Sequence, residues 1–154
     1  MGHVEFADGD VDAARTYFAE AGDGIELYDM ANSPHWPSVW IGLGSAAIAE
    51  QNLVEARNLF QRTLSFKSLA AWEKMEAVAG LAEVAAQDGH VEQAVELLAL
   101  VVAHPFTAYA QRVKSRKTLD ALKEEMPCDS YATRVQAGEN RDLHTTLAEL
   151  TRAA

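Results

Sequence analysis

The sequence predicts an all-α fold of antiparallel helical hairpins repeated along the chain, with a C-terminal helical cap. Three observations carry this expectation. No stretch alternates apolar and polar residues with the period of two that a half-buried strand requires. Caps and breakers divide the chain into helix-length pieces. One of those pieces recurs: "FADGDVDAARTYFAEA", "AEQNLVEARNLFQRTL" and "AAQDGHVEQAVELLALV" superpose on Ala14, Ala56 and Ala94. A chain of 154 residues, 49% of them hydrophobic, is long enough to bury the core of one domain.

In chain order, Asp10 or Asp12 opens a first helix reaching about Met30, weakened by Gly22 and Gly24. "NSPHWP" is a loop, because Pro34 and Pro37 bar helix continuation, and Pro37 is placed to start the next helix. Helices follow over 37–50, 53–67, 69–88 and 91–103. His104-Pro105 ends the last of these, Thr107 caps a helix over 108–125, and Pro127, Gly138 and Asp142 delimit two short closing helices. The hairpins expected are 1–36, 37–67 and 68–104, with capping helices over 105–154. The first is truncated, since only "MGHVEFA" precedes Asp8-Gly9, and it reads as a fragment or stub of a longer array. Terminal units of a helical stack must cover raw apolar faces. Val113, Leu119, Leu122 and Met126 are assigned to that inner face, while Arg112, Lys114, Arg116 and Lys117 are read as a solvated outer face rather than a contact patch.

The superposed copies share more than the alanine. Four residues after each stands Phe18, Phe60 or Leu98, one turn along the same face, where the small alanine lets a neighbouring helix approach. Five residues before each stands Gly9, Gln51 or Gly89, a position suited to the left-handed residue between two helices; in the second copy Gln51-Asn52 departs from glycine. Twelve residues before each stands Gly2, Gly44 or Ala82. In the second copy Trp40, Leu43, Gly44, Ala56 and Phe60 together resemble the tetratricopeptide repeat, and the third keeps Leu81, Ala82, Gly89, Ala94 and Leu98 with Val78 in place of the tryptophan. "MEAVAGLAEVAAQDGHVEQAVELLALV", "HPFTAYAQRVKSRKTLDALKEEMP" and "YATRVQAGENRDLHTTLAEL" resemble the C-terminal repeat region of large bacterial LuxR-type and ATPase signalling regulators. The resemblance covers roughly the last half of the chain. It implies a non-catalytic scaffold that binds a protein or peptide, at the regulatory or sensor end of such a regulator. The regulators' other parts are not in this sequence: it has no G-x-x-x-x-G-K-[ST] and no DNA-reading helix pair.

Charge and composition narrow the partner. Residues 1–106 carry 5 Lys/Arg against 16 Asp/Glu, and residues 107–154 carry 8 against 7, which together give the net −10. Such a body repels phosphate backbones, so direct nucleic-acid binding is not expected; the charge either suits a basic partner or simply serves solubility. No apolar run approaches a membrane span, "MGHVEFADGD" lacks the apolar core of a signal peptide, and the lone Cys128 suits a reducing cytoplasm. Catalytic and metal motifs are missing. The five histidines never fall four apart, there is no G-x-S-x-G, and Asp8, Asp10 and Asp12 lack the closing glutamate of a calcium loop, its place being Ala19. No enzyme activity and no cofactor are expected.

Carrying the tetratricopeptide groove positions over residue by residue implies His3 and Phe6 in the first copy, Ser38, Ile41, Ser45 and Ile48 in the second, and Glu76, Glu83 and Gln87 in the third. Chaperone-tail-binding members need Lys, Asn and Arg at these places, so the resemblance implies an apolar and acidic groove instead. Two readings stay open for Ile41 and Ile48, which either line that groove or pack against the neighbouring hairpin. Trp36 is either a loop anchor for a partner or a staple folded onto the helix that begins at Pro37. Alternatives to the scaffold are a small-molecule effector pocket and a self-associating module. The truncated first hairpin would leave Ala14, Tyr17 and Phe18 uncovered, so a homodimer through that hairpin is expected.

Overall fold

The computed structural model describes residues 10–27 and 33–152. Gly2, His3, Phe6, Asp8 and Gly9 of the first copy, and Met30 at the expected end of its long helix, lie outside the described residues. Among the described residues there are eight α-helices: α1 (Val11–Leu27), α2 (Trp36–Ala49), α3 (Leu53–Leu64), α4 (Ala71–Gln87), α5 (Val91–Ala103), α6 (Tyr109–Leu122), α7 (Cys128–Glu139) and α8 (Leu143–Arg152), with a 3₁₀ turn at Lys123–Glu125.

Local chemistry sets these boundaries. The Asp10 carboxylate accepts the Ala13 N–H at 2.9 Å and caps α1, as an acidic cap there required. Asn52 Oδ1 accepts the Glu55 N–H at 3.3 Å and caps α3. Asn52 is therefore held as a cap, and the left-handed residue of that turn is Gln51, with φ 60°, matching Gly89 at φ 81° in the next copy. Thr107 differs from expectation. It is buried, and its Oγ1 donates to the Val101 carbonyl at 2.6 Å, tying the turn back to α5, while α6 begins after Ala108 without a side-chain cap.

Each helix from α1 to α5 packs on the next, and α2 also meets α4, as α4 meets α6. This makes α2, α4 and α6 one layer, backed by α3 and α5. The seam residues sit where the recurrence puts them: Ala14, Ala56, Ala94 and Leu98 are fully buried, Phe60 is 1% exposed and Phe18 5%. Glycines open two of these seams. A Cβ on Gly44 would stand 2.8 Å from the Phe60 ring and one on Gly80 only 2.3 Å from it; Gly42 gives Phe18 similar room, where a Cβ would come within 2.4 Å. Ala14 and Phe18 are thus closed off within the chain, against the expectation that they would lie bare. Tyr17 and Leu27 remain exposed on α1. Trp36 is the first residue of α2 rather than a loop residue; it is buried and stacks on Trp40 at 5.5 Å between ring centroids. Arg62 lies over Trp40 at 4.5 Å.

The C-terminal helices depart from a simple end cap. α6 continues the alternation, whereas α7 packs on α5 and α8 reaches back to α3. Gly138 lets α7 approach the Glu96 carbonyl of α5 too closely for any side chain. Arg134 and Arg141 both reach Glu96, at 2.6 Å each, and also pair with Glu92 and Glu149 respectively. Gln61 Nε2 donates to the Leu150 carbonyl at 3.0 Å, fixing α8 on α3. On α6 the inward row is Ser115, Leu119 and Leu122, and the partly buried Met126 follows just after the 3₁₀ turn. Val113 is exposed, contrary to expectation, because it stands two residues, or about 200° of helical turn, from Ser115.

Candidate binding groove

The layer of α2, α4 and α6 carries a hollow on its face. α2 presents Ser38, Ile41, Ser45 and Ile48 at spacings of three and four, and α4 presents Glu73, Glu76, Gly80, Glu83 and Gln87 the same way. Between the two helices lies a cavity of about 440 Å³ lined by Ile41, Ser45, Ile48, Glu76, Gly80 and Glu83, with the Phe60 ring beneath and Gln111 and Lys114 of α6 along the far side.

Five of the expected groove residues therefore share one face: Ile41, Ser45, Ile48, Glu76 and Glu83. Ile41 is 6% exposed and also packs in the core with Ala56 and Phe60, so it is both wall and core; Ile48 is partly buried against the same core. Ser38 and Gln87 flank the cavity. Ser38 donates to Glu73 Oε1 at 3.4 Å, and Gln87 opens onto an adjoining hollow with Ile48 and Leu53. Phe6 and His3 lie outside the described residues. The burial of Trp36 in the α1–α2 seam places it away from this wall, in the staple position. Gln111 and Lys114 escaped the sequence reading because α6 was taken for a cap with its basic residues in solvent. Reading α6 as a further inner helix, with the same three-residue step from 111 to 114, would have found them.

The acids of α4 have unequal partners. Glu73 is buried and structural, its Oε2 accepting the Ala70 N–H at 2.9 Å at the start of the helix. Glu83, with a side chain 15% exposed, binds the Lys114 ammonium at 2.8 Å. Glu76 makes no hydrogen bond or salt bridge among the described residues. Burial pushes its carboxyl above the ordinary value of 4.5, the Glu73 charge adds to the rise, and Lys114 offsets part of it. The arrangement is a partly desolvated carboxyl beside a hollow lined by Ile41, Ile48, Ser45, Gln111 and Lys114.

No group of three His, Cys, Asp or Glu that could hold a metal ion occurs among the described residues, and Cys128 is exposed at the start of α7. Among them, no helix is long and apolar enough to cross a membrane. Comparison with family models, curated proteins and solved structures finds no match.

Proposed function

We propose that this chain is a non-catalytic, tetratricopeptide-like scaffold whose α2–α4–α6 groove binds a basic segment of a protein or peptide, as the regulatory end of a bacterial signalling or transcription regulator would. The observation that carries this reading is Glu76, a half-buried carboxyl that makes no hydrogen bond or salt bridge among the described residues, beside a cavity walled by Ile41 and Ile48. The recurrent alanine and aromatic seams, and the alternation of inner and outer helices, support the repeat architecture. The acidic wall disfavours phosphate, hence nucleic acid. The cavity volume also suits a small cationic effector, since ligand pockets begin near 300 Å³; that reading predicts that free arginine binds as tightly as an arginine-containing peptide.

The test is charge reversal. Glu76→Lys with Glu83→Lys should abolish binding of a labelled arginine-rich peptide. The loss should be larger at low salt, because screening already removes part of the attraction at high salt. Binding indifferent to both substitutions removes the groove from the account.

A further inference from the structure

We infer that the outer flank of α6 is a second docking surface, which takes an acidic amphipathic helix of a partner protein and works independently of the groove. Tyr109, Val113 and Lys117 are four residues apart, so they form one ridge along the helix, with Arg116 beside it. Tyr109 is 83% exposed and Val113 52%, two large apolar side chains in adjoining turns of one helix. The other faces of α6 are in use: Ser115, Leu119 and Leu122 are buried, and Gln111 and Lys114 line the hollow beside α4. Val113 stands about 100° of helical turn from Lys114. α7 and α8 turn back onto α5 and α3, so among the described residues the ridge has no helix packed on it.

The flank is also held ready for contact. Arg112 donates from Nη2 to the carbonyls of His104 and Thr107, at 3.0 and 3.2 Å, and Thr107 Oγ1 is tied to the Val101 carbonyl. These bonds fix the turn that enters α6, and with it Phe106, which is 61% exposed beside the His104 ring. A surface already ordered loses little conformational freedom when a partner binds.

Charge names the occupant. Residues 109–123 carry five Lys/Arg (Arg112, Lys114, Arg116, Lys117 and Lys123) against Asp120 alone, which makes +4 within a chain of net charge −10. Lys114 is engaged by Glu83 and Arg112 by the two carbonyls. Arg116 and Lys117 make no hydrogen bond or salt bridge among the described residues. At physiological salt, charges more than about 8 Å away are largely screened, so a docked partner meets these two cations rather than the acidic body as a whole. Asp120 comes one turn after Arg116. The partner's carboxylates therefore belong at the level of Arg116 and Lys117, and its apolar residues at Tyr109 and Val113. A ridge of side chains four apart is what a second helix packs against, whereas the backbone of α6, bonded within itself, offers an extended strand nothing to pair with.

The experiment uses the full chain and labelled alanine-based peptides of about 16 residues, long enough to hold a helix. One carries two leucines a turn apart, with glutamates one turn away on both sides so that either direction of packing is served. A second has lysines for the glutamates, and a third has alanines for the leucines. At physiological salt, fluorescence anisotropy should show the first binding about tenfold more tightly than either control, the size of one interface anchor. Arg116→Glu with Lys117→Glu should reverse the preference toward the lysine peptide. Tyr109→Ser and Val113→Ser should each weaken the glutamate–leucine peptide several-fold and leave the arginine-rich peptide of the groove unaffected. All four side chains are exposed, so the melts of these variants should match the parent's. Equal binding of the glutamate and lysine peptides overturns the inference, as does binding that ignores Tyr109 and Val113. Equal affinity for oligothymidylate or anionic lipid vesicles also overturns it, since the flank would then be a general anion surface. A dimer that is lost in Val113→Ser would assign the flank to a second copy and overturn it too. None of these outcomes touches the groove, which its own peptide reads separately.

Discussion

Phe60 shows how much a single position decides: its ring occupies space that Gly44 on α2 and Gly80 on α4 leave empty. Gly80→Ala should destabilise the chain by about 1–3 kcal/mol through overpacking, and a thermal melt matching the parent's would contradict the packing described. At Gln51 the opposite change is expected. A left-handed non-glycine residue costs roughly 1–2 kcal/mol, and glycine gives back about 0.4–1 in the unfolded chain, so Gln51→Gly should raise stability modestly in denaturant melts. Glu76 gives a pH signature. Its raised pKa means the folded chain holds a proton where the unfolded chain has lost it, so stability falls as pH rises from the ordinary 4.5 through the raised value. Glu76→Gln should flatten stability across that window, and calorimetry at stepped pH reads it. A bound cation favours the charged form, so affinity for a basic peptide should rise with pH over the same window. The alanine seams and the Gly89 turn were legible in the sequence because their signals lie within one or two helical turns. Gln51 was legible only by position, since Asn52, the residue more tolerant of that conformation, is engaged as the cap of α3.

At the scale of elements, most helices were readable and their pairings were not. The helix boundaries follow from caps, prolines and glycines close by in sequence. That α7 lies on α5 depends instead on Glu96 receiving Arg134 and Arg141 from 38 and 45 residues away, a match that no local pattern announces. The misassignment of Val113 has the same origin, because the inner face of α6 is set by Ser115 and Leu119 meeting a neighbour, and a buried serine carries no hydrophobic signal. Glu96→Ala should leave both arginines without their shared acceptor and loosen the returning helices by about 1–2 kcal/mol. Hydrogen exchange should accelerate in α7 and α8 while α2 to α5 stay protected; uniform acceleration would mean that the C-terminal helices are part of one cooperative unit.

For the whole molecule, the layering places an acidic, partly apolar hollow on one side and the returning C-terminal helices on the other. Among the described residues of the first hairpin, Ala14 and Phe18 are buried, and Tyr17 and Leu27 are the exposed large apolar residues, a small patch on an acidic helix. Sedimentation velocity should therefore find a monomer at low and high salt, and a salt-promoted dimer would show that this patch suffices. The groove could be anticipated from the repeat register, but its third wall and the Lys114–Glu83 pair required the position of α6. Ligand entry between α2 and α4 can be read by methyl NMR on isoleucine-labelled protein titrated with the arginine-rich peptide. The Ile41 and Ile48 methyl signals should shift with saturation while Ile25, in the α1–α2 seam, stays in place. Shifts at Ile25 alone, or none at Ile41 and Ile48 under saturating peptide, would contradict it.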